Sequence, residues 1–154
     1  MATNVNLNRS FDQRLFLMDQ ELDKSVGLLI AGVSEIITTA ETAREKAGLS
    51  KAELHIIMAV RHRPGLTVTE MRTSLGMTTP TFARLIGTLE KRGLIQRTRG
   101  AKDARQRRLT LSEAGTTLST PIAIAMRDRL RNAFRVAGPD AVAGMRIALE
   151  ALNP

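Results

Sequence analysis

From Phe11 onward the apolar side chains Leu15, Met18, Leu22, Val26, Leu29, Val33, Ile36, Ile37 and Ala40 recur at steps of three and four. That stripe predicts one long amphipathic helix, or two in series, within residues 11–48. Gly27 and Gly32 are its weak points. Gly48 is its stop, after Arg44 and Lys46 have placed positive charge at the carbonyl end. Residues 1–10 are polar and aperiodic, the pattern of a flexible N-terminus. Short helices are expected over about residues 51–62 and 68–75. Each opens on a capping-box pattern, Ser50 with Glu53 and Thr67 with Glu70, in which a hydroxyl and a carboxylate satisfy free backbone amides reciprocally. Pro64 and Gly65 separate these two helices, and Gly76 ends the second. The next helix is capped by Thr78 or Thr79, carries Pro80 in its first turn and stops at Gly93.

The period then changes. Residues 94–99 and 107–112 read as two strands joined by residues 100–106. In the second strand Leu109 and Leu111 share one face while Arg108 and Thr110 share the other. Ser112 caps a helix expected to reach Ala137 with a kink at Pro121, and a last helix follows over about residues 140–152. The pattern as a whole is mainly α with one small β-hairpin.

The length of 154 residues and an apolar content of 43% allow one domain with a sizeable core. Cysteine is absent, which removes disulfides, thiolate zinc sites and thiol-based sensing. The most apolar stretch, residues 26–33, is interrupted by two glycines and follows Asp12, Asp19, Glu21 and Asp23. It suits neither a signal peptide nor a membrane span, so the expected location is the cytoplasm.

The net charge of +8 is unevenly placed: residues 84–108 hold nine basic side chains against two acidic ones, a local +7. Charge concentrated in this way is a footprint for a polyanion. A membrane surface would need a basic amphipathic helix, whereas this segment is interrupted by Gly100 and patterned as strands, so no membrane partner is expected. Tyr and Trp are absent and only four Phe remain, too few for stacking single-stranded bases, so double-stranded DNA is the favoured partner.

The residues that would contact it follow from the helix ending at Gly93. Phe82, Leu85, Ile86 and Leu89 line one face. Pro80, Ala83, Arg84, Gly87, Thr88 and Lys91 line the opposite one, with Thr81 at the rim and Thr78 and Thr79 at the start. Arg84 suits a bidentate pair with a guanine edge, and Thr81 and Thr88 suit bases or phosphates. Gly87 costs about 1 kcal/mol against alanine in a helix interior, which points to a close approach of backbone to DNA. The hairpin adds Arg97, Arg99, Lys102, Arg105, Arg107 and Arg108, with arginines at its tip suited to a narrow minor groove. Asp103 would preorganise the Arg105 guanidinium there, or simply favour the turn. Thr67 and Thr69 read first as cap residues, with phosphate contact as the alternative.

Other chemistry is poorly served. No phosphate loop, nucleophile elbow, metal-ligand spacing or clustered carboxylate pair is present, so no enzyme is expected, and no cofactor. His55 and His62 share a helix face, but no third ligand completes a metal site, leaving them as surface or pocket-lining imidazoles. The methionines read as core filling, with Met58 a candidate for lining a small-molecule pocket. The competing reading is an adaptor of the same fold that binds protein without specific DNA readout.

Residues 65–115 resemble the winged helix-turn-helix of the MarR family of bacterial transcriptional regulators. The most specific pieces are "LEKRGLI" and a wing signature carried by Asp103, Arg105, Leu109, Leu111, Ser112 and Gly115. The resemblance implies that residues 79–91 read the major groove, with Arg105 as the minor-groove arginine of the wing. It also implies a homodimer built by the N-terminal helix and the last two helices, and a small aromatic or anionic effector held between those helices and the winged domain. The domains are then a helical dimerisation region at 11–48, a winged helix-turn-helix DNA-binding domain at 49–115 and a second helical dimerisation region at 116–154. Apolar stripes agree with a dimer: Leu15, Met18, Leu22 and Val26 at one end, and Leu118, Ile122, Met126, Leu130 and Phe134 at the other. Two recognition helices about 34 Å apart would then read an inverted repeat.

Overall fold

The computed structural model describes residues 18–99 and 106–152, which fall in two compact units divided between Ile37 and Thr38. The flexible N-terminus expected at residues 1–10 and the wing-tip residues Lys102, Asp103 and Arg105 lie outside the described residues. In chain order the elements are α1 (Asp19–Thr39), α2 (Glu41–Lys46), α3 (Lys51–His62), α4 (Val68–Ser74), α5 (Thr79–Lys91), β1 (Ile95–Arg99), β2 (Arg107–Leu111), α6 (Glu113–Ala137) and α7 (Pro139–Leu152).

In the first unit, α1 runs unbroken through Gly27 and Gly32, at neither of which would a Cβ meet another atom. Two glycines in a long run are tolerable at about 1 kcal/mol each. The helical series instead divides at Ala40, which is fully buried at the start of the core. No residue of α1 is buried. Leu28 and Ile30 are 73% and 64% exposed, and Leu22, Val26, Leu29 and Val33 are exposed as well.

The second unit carries the core. Leu54, Ile56, Ile57 and Val60 from α3, Met71 from α4, and Phe82, Leu85, Ile86 and Leu89 from α5 meet Leu94, Ile95, Leu109 and Ile122. Both expected capping boxes are formed. Ser50 Oγ accepts from the Glu53 amide while Glu53 Oε2 accepts from the Ser50 amide, and Thr67 and Glu70 do the same for α4. Thr78 occupies the N-cap position of α5 but accepts no backbone bond, and its hydroxyl donates to Thr81 Oγ1 at 3.0 Å instead. Pro80, second in the helix, has no N–H to offer, which removes one of the two usual partners of a cap.

The hairpin is antiparallel with Ile95 opposite Leu111, Arg97 opposite Leu109 and Arg99 opposite Arg107. A further backbone pairing along the free edge of β2 was not legible in the sequence. The Gly65 amide donates to the Leu109 carbonyl, the Leu109 amide donates to the Leu66 carbonyl, and Thr67 bridges Arg108. The segment entering α4 therefore seals the edge of β2 that β1 leaves open.

Ser112 ties the hairpin to α6: its hydroxyl accepts from the Gly115 amide at 2.9 Å and donates to the Gly93 carbonyl at 2.5 Å. A Cβ on Gly115 would lie 2.0 Å from the Leu94 carbonyl oxygen, so only glycine fits. α6 continues past Pro121 as one helix. Its apolar stripe is divided in use, contrary to the expectation of a single dimer surface. Ile122 is fully buried and Leu118 and Met126 pack on the core, and Arg61 of α3 ties this half of α6 down by donating to Ser119 Oγ at 2.9 Å and to the Thr116 carbonyl. Only the later part, with Leu130 and Phe134, turns toward α7.

Candidate nucleic-acid interface

α4, a short turn and α5 form a helix-turn-helix, and the β1–β2 hairpin beside α5 is its wing. The orientation of α5 is decided by its four buried apolar side chains, each contributing roughly 1.5–3 kcal/mol by leaving water. With that face fixed inward, Thr78, Thr79, Thr81, Arg84, Thr88 and Lys91 are all exposed, and Gly87 is half-buried between them. The structure thus brings together every α5 residue singled out from the sequence. Thr88 differs in one respect. Its hydroxyl donates to the Arg84 carbonyl at 3.0 Å, so it meets a ligand as an acceptor while that bond holds.

The cluster of basic residues is partitioned. Arg92 donates to the Gly48 carbonyl at 3.1 Å and the Ala47 carbonyl at 3.0 Å, and lies 3.5 Å from Glu53, locking the end of α5 to the α2–α3 junction. Burial pushes the Glu53 carboxyl upward, but the hydrogen bonds from Ser50 and the Arg92 guanidinium together hold it below the ordinary range. Arg108 is half-buried and donates to the Gly65 carbonyl at 2.6 Å, holding β2 to the segment that precedes α4. Arg97 pairs with Glu90 of α5. Arg84, Lys91, Arg99 and Arg107 are exposed and have no partner among the described residues.

Arg99 and Arg107 sit directly opposite each other in the hairpin register. Like charges in facing positions destabilise a strand pair, so this end of the hairpin gains by an anion placed between or beside them. Between the hairpin and the start of α4, Thr67, Thr69, Glu70, Arg97, Gln106 and Arg107 line an open recess of about 520 Å³. Thr67 and Glu70 there serve the cap of α4, and the Thr67 amide and hydroxyl hold the Glu70 carboxyl below its ordinary range.

Two further grooves lie away from α5. One, of about 930 Å³, runs between α2 and α6 and is lined by Thr42, Ala43, Lys46, Glu113, Thr117, Leu118 and Pro121 among others. The second, of about 740 Å³, has Leu130, Phe134, Val142, Met145 and Leu149 as its apolar wall and His62, Arg63, Arg146 and Glu150 as its polar one. His62 is thus groove-lining and His55 exposed, while Met58 packs on the core and lines neither groove. No described helix is long and apolar enough to cross a membrane.

A recognition helix with an outward polar face, a preceding helix at a tight turn and a basic hairpin define a winged helix-turn-helix protein. Residues 47–106 match the model of the MarR family. The chain is 35% identical over 138 residues to the HTH-type transcriptional regulator PetP of Rhodobacter capsulatus, spanning 90% of this chain and 83% of PetP. It is similar in fold to NadR, solved in complex with 4-hydroxyphenylacetate, at a TM-score of 0.72 and 21% identity over 82% of this chain and 89% of NadR. It is also similar in fold to the transcriptional repressor CouR, solved on a 23-mer DNA duplex, at a TM-score of 0.58 and 22% identity over 92% of this chain and 96% of CouR. The chain belongs to the MarR family and is a transcriptional regulator, not an enzyme.

Proposed function

We propose that this regulator acts in the cytoplasm as a homodimer that reads an inverted repeat in double-stranded DNA, with α5 in the major groove and the hairpin against the neighbouring backbone and minor groove. One observation carries the reading: α5 buries its whole apolar face and turns Thr78, Thr79, Thr81, Arg84, Thr88 and Lys91 outward, beside a hairpin whose opposed Arg99 and Arg107 lack a counter-charge among the described residues. Arg84 reads a base edge, and Lys91, Arg99 and Arg107 meet phosphates. Lys102 and Arg105 extend the same charge toward the minor groove, with Asp103 orienting Arg105. CouR, of the same fold, was solved on duplex DNA, which supports the arrangement.

The exposed apolar side chains of α1, together with Val136 at 91% and Ile147 at 67% exposure near the other end, are the surface a second copy would cover. The groove between α2 and α6, with Lys46 as its cation, is the seat proposed for a small aromatic or anionic effector, and NadR with bound 4-hydroxyphenylacetate supports that class.

The test is the salt dependence of binding to a duplex recovered by selecting genomic fragments on the purified protein. Log affinity should fall against log salt with a slope of about −0.9 per phosphate neutralised. A flat response with no sequence preference supports the protein-binding adaptor instead.

A further inference from the structure

We propose that Glu90 and Arg97 form a strut that sets the angle of the hairpin against the recognition helix, making both of them positioning residues for sequence-specific binding. The proposal rests on the DNA-reading function above and assigns Arg97 a different role from the phosphate contact expected for it.

Glu90 is the only carboxylate among the described residues of the basic 84–108 segment. On a surface meant for phosphates an uncompensated carboxylate repels the ligand, so its presence calls for a local use. The geometry supplies one. Arg97 Nε lies 2.7 Å from Glu90 Oε1 and Arg97 Nη2 lies 3.0 Å from Oε2, a two-pronged pairing that fixes direction as well as distance. Their side chains are 41% and 29% exposed, so the pair adds little to folding stability. Its geometric effect is larger, because it is the only side-chain polar link between α5 and β1 among the described residues.

On the other side the hairpin is held by Arg108 on the Gly65 carbonyl and by the backbone pairing of Leu109 with Gly65 and Leu66. The hairpin is thereby clamped between α5 and the segment entering α4. The hairpin beyond Arg97 is a lever, and a small rotation at its root displaces Arg99 and Arg107 relative to Arg84. Contacts that must be made together by helix and hairpin then depend on a bond that touches no DNA.

The test compares a selected cognate duplex with a random-sequence duplex by fluorescence anisotropy, for wild type, Glu90→Gln, Arg97→Gln and the charge-swapped pair Glu90→Arg with Arg97→Glu. Glu90→Gln should lower the cognate-to-random affinity ratio at least fivefold although it removes a negative charge. The freed Arg97 should steepen the salt slope on random duplex by about 0.9 for each subunit bound, roughly 1.8 for the dimer. Arg97→Gln should lower the ratio without flattening that slope, and the swapped pair should recover the ratio. Thermal unfolding of each variant should stay near wild type, as expected for a partly exposed ion pair.

If Glu90→Gln tightens both duplexes by one common factor, Glu90 is only a repulsive bystander and the strut is wrong. If Arg97→Gln flattens the slope by about 0.9 for each subunit bound with the ratio intact, Arg97 is an ordinary phosphate contact and the strut is equally wrong. A wild-type protein with no sequence preference and no salt slope removes the DNA-reading function itself, a distinguishable failure.

Discussion

Gly87 places stability and function in opposition. It lies inside α5, its φ is not positive, and a Cβ built on it meets no atom within 4 Å. Nothing in the fold therefore requires glycine there, and Gly87→Ala should stabilise the protein by about 0.8–1 kcal/mol through helix propensity alone. For a chain of this size that is a rise of roughly 2–4 °C in the unfolding midpoint. The added methyl stands between Arg84 and Thr88 on the face proposed to enter the groove, and a close approach of the α5 backbone to DNA there would leave no room for it. Cognate affinity should fall at least about tenfold, equivalent to roughly 1.4 kcal/mol. Circular-dichroism melts and anisotropy on the selected duplex measure the two effects separately. A variant that is stabilised yet binds its duplex as tightly as wild type would show that the backbone of α5 does not approach DNA at Gly87. A variant that is destabilised would refute the structural premise itself.

Arg84→Ala should cost about 1–3 kcal/mol on the cognate duplex and less on random sequence; an unchanged ratio between the two removes the base-reading role. Gly115→Ala forces a Cβ to 2.0 Å from the Leu94 carbonyl oxygen and should destabilise by at least roughly 1–3 kcal/mol in urea melts, so a neutral result contradicts the packing. Wild type should be a dimer at micromolar concentration by light scattering, and the double variant Leu22→Glu with Val26→Glu should be a monomer; a dimer surviving both charges places the interface elsewhere. The Glu53 and Glu70 carboxyls are held below their ordinary value of 4.5, so the folded state binds fewer protons than the unfolded chain near that pH. Their contribution is full above pH 4.5 and lost as pH falls, and Glu53→Gln, which keeps an acceptor for the cap, should flatten the acid limb of a stability–pH curve.

Local rules carried the fold further than the site. The two capping boxes, the turn at Gly93 and the alternation of Leu109 and Leu111 each depend on residues within a few positions, and each formed where the spacing placed it. The inward face of α5 was legible for the same reason. What escaped was non-local. The strand pairing of residues 65–67 with β2 joins positions more than forty apart, and no periodic signal over three residues announces it. The halves of the α6 stripe look alike in sequence, and only the packing of one half on the distant α3, with Arg61 bonded to Ser119 across it, makes that half core. A buried Ala40, not a glycine, divides the first helical region, because packing outweighs propensity there.

The same distinction governs the basic cluster. Sequence counts nine cations between residues 84 and 108, but Arg92, Arg97 and Arg108 hold structural partners at Gly48, Glu90 and Gly65. The salt slope should therefore track the cations without such partners, not the formal charge. Removing Arg99 or Arg107 should flatten it by about 0.9 for every phosphate that each subunit no longer neutralises, whereas removing Arg92 or Arg108 should leave the slope in place and lower the unfolding midpoint. A slope that responds equally to all of them would mean that the hydrogen bonds to Gly48 and Gly65 give way when DNA binds, and that the hairpin is remade on its target.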